Sequence, residues 1–504
     1  MEPSHVRRAW VALAAAACTV AGLVAAPSAA QADVGAKPLR TWGVGPATTT
    51  STKVGAPRVL AILPLGDRVF VAGTFASVLD TSGASYPVKN LAAFNASTGA
   101  FDLGFQGQAN NTVTSLATDG AGTVFLGGTF GTVNGQARRG LAALDAATGA
   151  LKPFAPGVVS PGQVDSVAYA GGALYAAGNF AGVTSGAVTS GPFLAKLDGV
   201  NGTVDGSWTP APNDRVRVVS VAADGSGRLL AGGDFTSVSG RSGTNKLAAV
   251  ALGGTGAPDT AFRAGATNGS SSAPVFDIAS DSSRIYVAAA GAGGACTALN
   301  ASTGAQAWSD HSNGNMQSVR VAGGLLYCGG HFSGTGSFAG LDRSKLAAVD
   351  PATGAVAPFA PTINSAQGVW ALGGDATHLY AGGDFTKVAG VLQPHFAVFL
   401  DSSAATAPRP PTAVSAVPGN AVVHLTWSPP TSDGGSSLQK YKVYRATTPG
   451  GENLSKAPLV TLGKTVLAYD DVAVTNGTTY YYVVVATNAI GASPPSTEVS
   501  ATPQ

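Results

Sequence analysis

Six side chains stand at the same place in a recurring stretch, and they are the ones best suited to do chemistry: Thr74, Thr129, Asn179, Asp234, His331 and Asp384, each directly before a phenylalanine. Ala290 takes the seventh such position. Hydroxyl, amide, carboxylate and imidazole groups repeated this way would gather at one mouth of a closed assembly, where they suit sugar hydroxyls or a cation. The plainer reading is favoured: short polar side chains cap strand ends by bonding loop backbone. His331 departs from the small-polar rule and is the first position to mutate. A glycosidase needs two carboxylates at a defined separation. Asp234 and Asp384 lie in non-adjacent units, and their spacing does not set them against each other. The six histidines are scattered, so no catalytic residue, metal ligand or cofactor is assigned.

The elements that must position these residues are repeats. Val69 to Phe75 (VFVAGTF) recurs as VFLGGTF, LYAAGNF, LLAGGDF, LYCGGHF and LYAGGDF, ending at Phe130, Phe180, Phe235, Phe332 and Phe385, with a degraded copy at Ile285 to Gly291. The first four phenylalanines are 55, 50 and 55 residues apart. That period, with several short strands in each unit, is the mark of propeller blades. Both faces of the stretch are apolar or small, as befits a sheet packed between two others, and paired glycines fit close backbone packing against the next unit.

A second element follows each first one: a short apolar strand running into Asp/Asn-x-x-Thr-Gly, as in Gly140 to Gly149 and Lys345 to Gly354. Asp or Asn opens the turn by bonding backbone, and glycine takes its positive φ. An aromatic strand comes next, at Phe101, Phe154, Trp208, Phe262, Trp308 and Phe359. Each unit therefore reads as four strands, A to D. The seventh stops after its third strand, at Phe396 to Leu400. Leu39 to Pro46, containing Trp42, resembles the missing fourth. The expected fold is all-β: a seven-bladed propeller closed by its own N-terminal strand, which hides edges that invite aggregation. The B–C and D–A connections share one face, rich in asparagine (Asn110, Asn213, Asn313, Asn364). Variable loops on such a scaffold carry recognition. The fifth unit has almost no B–C loop, which implies a notch in the rim.

The Gly-Gly-Asp-Phe and Asp-x-x-Thr-Gly repeats resemble kelch and quinoprotein dehydrogenase propellers. Quinoproteins stack a quinone between Trp and adjacent cysteines beside calcium; Cys296 and Cys328 are not adjacent, so no quinone is expected. Galactose-oxidase-like copper ligands and a sialidase Asp box are not found.

Beyond Ala404 to Pro410 the pattern changes. Val422 to Pro430, Tyr441 to Arg445 and Tyr480 to Asn488 alternate as the strands of a small sandwich. They resemble a fibronectin type III domain, with Trp427 as core tryptophan and Tyr480 as its corner tyrosine. The overall resemblance is to secreted bacterial propeller proteins of unassigned activity carrying such a module.

Arg7-Arg8, the apolar run Trp10 to Val24 and Ala30-Gln31-Ala32 read as a signal peptide, weakly like a twin-arginine signal. The expected domains are signal peptide 1–32, propeller 33–403, linker 404–410 and fibronectin type III domain 411–504. No later stretch is apolar enough to span a bilayer. Net charge is +2 with 11% charged residues, and no basic run suggests nucleic acid. In an oxidising compartment Cys296 and Cys328 suggest a disulfide; two buried thiols are the equal alternative. The expected protein is a secreted monomer, non-catalytic, recognising an extracellular glycan or protein through the loop face. The alternative is a hydrolase, a glycosidase or accessory acting on extracellular polysaccharide.

Overall fold

A computed structural model describes residues 36–39, 43–45, 57–79, 84–96, 99–244, 246–264, 273–291, 293–375, 377–400, 407–431, 438–488 and 490–504. The signal-peptide expectation, Trp42 and residues 401–406 lie outside them. All regular structure among the described residues is β.

Seven antiparallel sheets follow one another along the chain, each in the order A–B–C. The first is built from Arg58–Leu65, Arg68–Thr74 and Leu91–Asn95. The second is Val113–Thr118, Thr123–Gly128 and Leu141–Asp145. The third is Gln163–Ala170, Ala173–Asn179 and Leu194–Asp198, and the fourth Val216–Val221, Arg228–Gly233 and Leu247–Ala251. The fifth has Val275–Ser280, Arg284–Ala289 and Ala295–Asn300, the sixth Met316–Ala322, Leu325–Gly330 and Leu346–Val349. The seventh is Val369–Gly374, His378–Gly383 and Phe396–Leu400.

The A strands neighbour one another in sequence order, and the strand Val369–Gly374 also neighbours Arg58–Leu65. Apolar cores fill the spaces between adjacent sheets, including one that joins Val59 and Val71 to Tyr380 and Val398.

Where a repeat has two glycines, as the second, fourth, sixth and seventh do, they have separate tasks, and the first and third keep only the second of them. A β-carbon on the first would press on the valine that opens the next sheet: 2.8 Å from Val164 at Gly127, 2.5 Å from Val275 at Gly232, 2.9 Å from Val369 at Gly329. A β-carbon on the second would overlap a carbonyl of its own A strand, as Gly73 would meet Arg58.

The fourth strand is shorter than the sequence implies. Among the described residues only the fifth sheet has a full one, Gln306–His311. In the first, second, third, fourth and sixth it shrinks to single bridges such as Leu144↔Leu151 and Val349↔Val356. Four of them carry a proline, Pro153, Pro210, Pro258 or Pro358, and the first, at Phe101, does not. Proline has no N–H to extend a ladder, and the fifth segment has none. Beside the seventh sheet, Leu39 N donates to Val398 O at 2.8 Å, the same bond that Lys152 N makes to Ala143 O in the second.

Six B–C connections fold into a small ribbon or bridge that pairs with the link entering its sheet, as Ala109↔Val133 and Ile363↔Val388 do. For the first sheet that link is Gly43–Gly45, paired with Ser77–Leu79. Cys296 and Cys328 are joined by a disulfide between the fifth and sixth sheets, with Cα atoms 6.4 Å apart.

Residues 412–501 form two facing sheets, Thr412–Gly419/Val422–Ser428/Ala468–Asp471 and Val460–Gly463/Lys440–Ala446/Tyr480–Thr487/Val499–Ala501. Trp427 packs edge-on to Tyr441 at 5.7 Å in their shared core.

Candidate functional site in the central channel

The A strands share one irregularity. In all seven the ladder to strand B skips a residue: Leu60, Thr114, Asp165, Arg217, Phe276, Gln317 and Trp370. A bulge leaves its extra residue unpaired and re-aims its side chain. All seven line one cavity of about 180 Å³, to which every A strand contributes. In six of the sheets a carbonyl beside the A-strand bulge takes the room of a β-carbon at the second position, which is glycine; the fifth sheet has Ala289 there.

In three of the strands the next residue meets a different need. An A strand on an inner edge leaves N–H groups unpaired. Ser115 Oγ accepts from Val167 N at 3.0 Å, Ser166 Oγ from Val219 N at 3.1 Å, and Asp277 Oδ2 from Val319 N at 2.9 Å. Each bond crosses to the A strand of the following sheet.

The lining mixes aromatic faces with charge. Arg215 holds Asp165 through two bonds of 2.6 and 2.7 Å, and Gln163 adds a third. Arg217 pairs with Asp234 at 2.8 Å and lies 5.1 Å over Phe276. Arg58 lies 5.0 Å over Trp370 and donates to Gln367 Oε1. Asp277 keeps some accessible surface because it faces the cavity, yet protein encloses it. Desolvation pushes its pKa up to about 6, against the pull of the Val319 and Ile278 amides and of Arg320. Gln317, 8% exposed, donates to Gln367 O at 3.0 Å. Gln317 Oε1, Trp370 Nε1 and Arg58 Nε are buried without a protein partner.

The six residues singled out at the strand B ends sit around this lining rather than in it. Thr74 Oγ1 meets Thr112 Oγ1 at 3.0 Å. Asp234 anchors Arg217. Asp384 accepts from Ser365 Oγ and from Gln367 N at 3.0 Å. Asn179 pairs with Gln163 in the third sheet. Thr129 borders a separate surface hollow with Arg139, Pro161 and Gln163. His331 is exposed, and its N–H bonds Asn315 O at 2.8 Å. The loop-face asparagines are spent on backbone. Asn110 Oδ1 accepts from Gly131 and Thr132, Asn213 Oδ1 from Thr236 and Ser237, and Asn364 Oδ1 from Thr386 and Lys387.

Sequence reasoning missed the bulge ring because its seven side chains have no common type. A positional signal existed. Leu60, Asp165 and Trp370 each lie thirteen residues before the second glycine of the repeat, at Gly73, Gly178 and Gly383, and each follows a valine.

Residues 406–502 match the fibronectin type III domain family, and residues 225–368 match the family described as outer membrane protein assembly factor BamB. The chain thus carries propeller-type repeats followed by a fibronectin type III domain. An amylopullulanase of Thermoanaerobacterium saccharolyticum is 33% identical over 120 residues, 24% of this chain and 9% of that protein. Among solved structures, the RRP9 WD40 repeats are 9% identical, with a TM-score of 0.46 over 73% of this chain and 99% of that one. An Fn3-like protein from Clostridium thermocellum is 30% identical, with a TM-score of 0.17 over 20% of this chain and 96% of that one. No helix among the described residues is long and apolar enough to cross a membrane.

Proposed function

We propose that the chain is an exported, non-catalytic binding protein that takes an extracellular glycan at its central channel. In this reading residues 33–403 close into a seven-bladed propeller, with the N-terminal segment completing the last blade. A linker, 404–410, leads to a fibronectin type III domain at 411–504 that acts as a spacer.

Closure is supported by the contact of the last A strand with the first and by the bond from Leu39 to Val398. Export is supported by the Cys296–Cys328 disulfide, since such bonds persist in oxidising compartments. The amylopullulanase likeness is consistent with carbohydrate.

One observation carries the binding reading: a single cavity lined by the re-aimed side chains of all seven inner strands. Trp370 and Phe276 supply apolar faces, while Gln317 and Arg217 supply directional polar groups. A few placed polar groups on an apolar lining are the usual make-up of a small-ligand site. The test is a glycan array on the intact chain, with turnover assayed on every hit. Binding lost in Trp370→Ala, without turnover, is the expected result; an array without hits would remove the reading.

A hydrolase is the second reading, because Asp165 and Asp277 line the same cavity. Their oxygens are committed to Arg215 and Gln163, and to the Val319 and Ile278 amides. Carboxylates engaged in this way hold the wall together, which is why binding is preferred.

A further inference from the structure

We propose that the corner of the channel formed by Arg58, Gln317 and Trp370 is a subsite for a carboxylate-bearing sugar, a uronate. The proposal rests on the reading of the channel as a glycan site and assigns the ligand's charge.

The charges around the channel are unevenly matched. Arg215 is paired with Asp165 and Arg217 with Asp234. Arg320 is drawn to the enclosed Asp277 and donates to Gly374 O at 3.2 Å. Arg58 has no carboxylate within ion-pair distance among the described residues; its contacts are the amide oxygen of Gln367 and the face of Trp370. Its planar fork suits a carboxylate held by two parallel bonds.

A second, independent feature points to the same corner. Three polar atoms there are buried without a protein partner, two donors (Arg58 Nε and Trp370 Nε1) and one acceptor (Gln317 Oε1). Buried polar groups are nearly always satisfied, and each exception calls for a reason. The bond from the Gln317 amide nitrogen to Gln367 O fixes which way Oε1 faces. Gln317 and Trp370 both line the cavity. A simple anion would satisfy the donors and leave Gln317 Oε1 orphaned. A neutral sugar would satisfy the glutamine and leave Arg58 without a counter-charge. A uronate answers all three: its carboxylate accepts from Arg58 and Trp370, a ring hydroxyl donates to Gln317, and its apolar ring face meets the indole.

The test is calorimetric titration of the intact chain with trigalacturonate and with its fully methyl-esterified form, in which each carboxylate is replaced by an uncharged methyl ester. The acid is expected to bind at least tenfold more tightly than the ester, with the difference shrinking as salt is raised. Arg58→Gln should abolish the preference, whereas Arg58→Lys should keep part of it and shows that the site still folds. Gln317→Leu should weaken both ligands. Equal binding of acid and ester, still lost in Phe276→Ala, would overturn the uronate assignment and leave the channel reading standing. Binding of neither ligand would overturn both.

Discussion

Gly382 in the last sheet lies so close to Val59 in the first that a β-carbon on it would overlap Val59 Cγ1 and sit 2.8 Å from Val59 Cβ. The same contact joins Gly127 to Val164, Gly232 to Val275 and Gly329 to Val369. The seam between the ends of the repeat array is therefore packed by the rule that packs its interior. Gly382→Ala should destabilise the chain by about 1–3 kcal/mol, the usual cost of forcing extra volume into a filled interior. Val59→Ala removes the overlapped methyl groups and should recover part of that loss in the double variant. Urea midpoints of the four proteins check this. Strictly additive losses would mean that the two residues do not meet.

Much of the scaffold was readable from the repeats because its residues are fixed by backbone geometry. The turn after each third strand needs an Asp or Asn whose oxygen gathers amides, as Asp145 does from Ala147 and Thr148, and a glycine at positive φ, as Gly149 at 76°. Such demands leave the same letters in most units, although the fourth has Ala251 in place of the Asp or Asn. The channel lining obeys no such demand. A bulge tolerates any side chain, so Leu60, Asp165 and Trp370 share a position and nothing else. The polar letters that do repeat, Asp234 and Asp384 among them, are those that fasten neighbouring residues. Asn110 and Asn364 show the same limit: the sequence shows a polar side chain but not whether backbone has already claimed it.

The fifth sheet departs from its fellows in two ways. Its glycine pair is replaced by Ala288 and Ala289, and no ribbon forms in its B–C connection among the described residues. The Cys296–Cys328 bond ties this sheet to the sixth across a separation of 32 residues. A loop of that length predicts a stabilisation of about 3–4 kcal/mol from the restricted unfolded chain. The double variant Cys296→Ala/Cys328→Ala should lower the urea midpoint accordingly. A reductant should move the wild type toward the variant and leave the variant unmoved. Equal midpoints for oxidised wild type and variant would show that the bond contributes nothing.

In the fibronectin type III domain, Tyr480 sits where the sequence put its corner tyrosine, and its phenol oxygen accepts from Thr475 N at 3.0 Å. Tyr480→Phe leaves the ring in the core but strands that amide, at a cost of about 1–2 kcal/mol. Hydrogen exchange in the intact chain, read over Tyr480–Thr487, should quicken in the variant while the propeller repeats keep their protection. Unchanged exchange there would argue that water replaces the phenol without cost.

Asp277 gives the channel wall a pH dependence of unusual sign. Its carboxyl is pushed by desolvation from an ordinary 3.8 up to about 6. Between those values the folded chain holds a proton that the unfolded chain releases, so this group's contribution is fully present below the lower value and is lost as pH rises through the upper one. Two pKa units correspond to at most about 3 kcal/mol. Asp145 works the other way. Bonds from Thr148 hold its carboxyl below the ordinary range, and its contribution is lost as pH falls. In Asp277→Asn the amide oxygen still accepts from Val319 N and no ionisation follows, so stability measured from pH 4 to 7 should fall less steeply than in wild type. Asp145→Asn should instead flatten the decline on the acid side, below pH 4. If Asp277→Asn leaves the pH profile superimposable on that of wild type, the carboxyl is not desolvated by the channel wall.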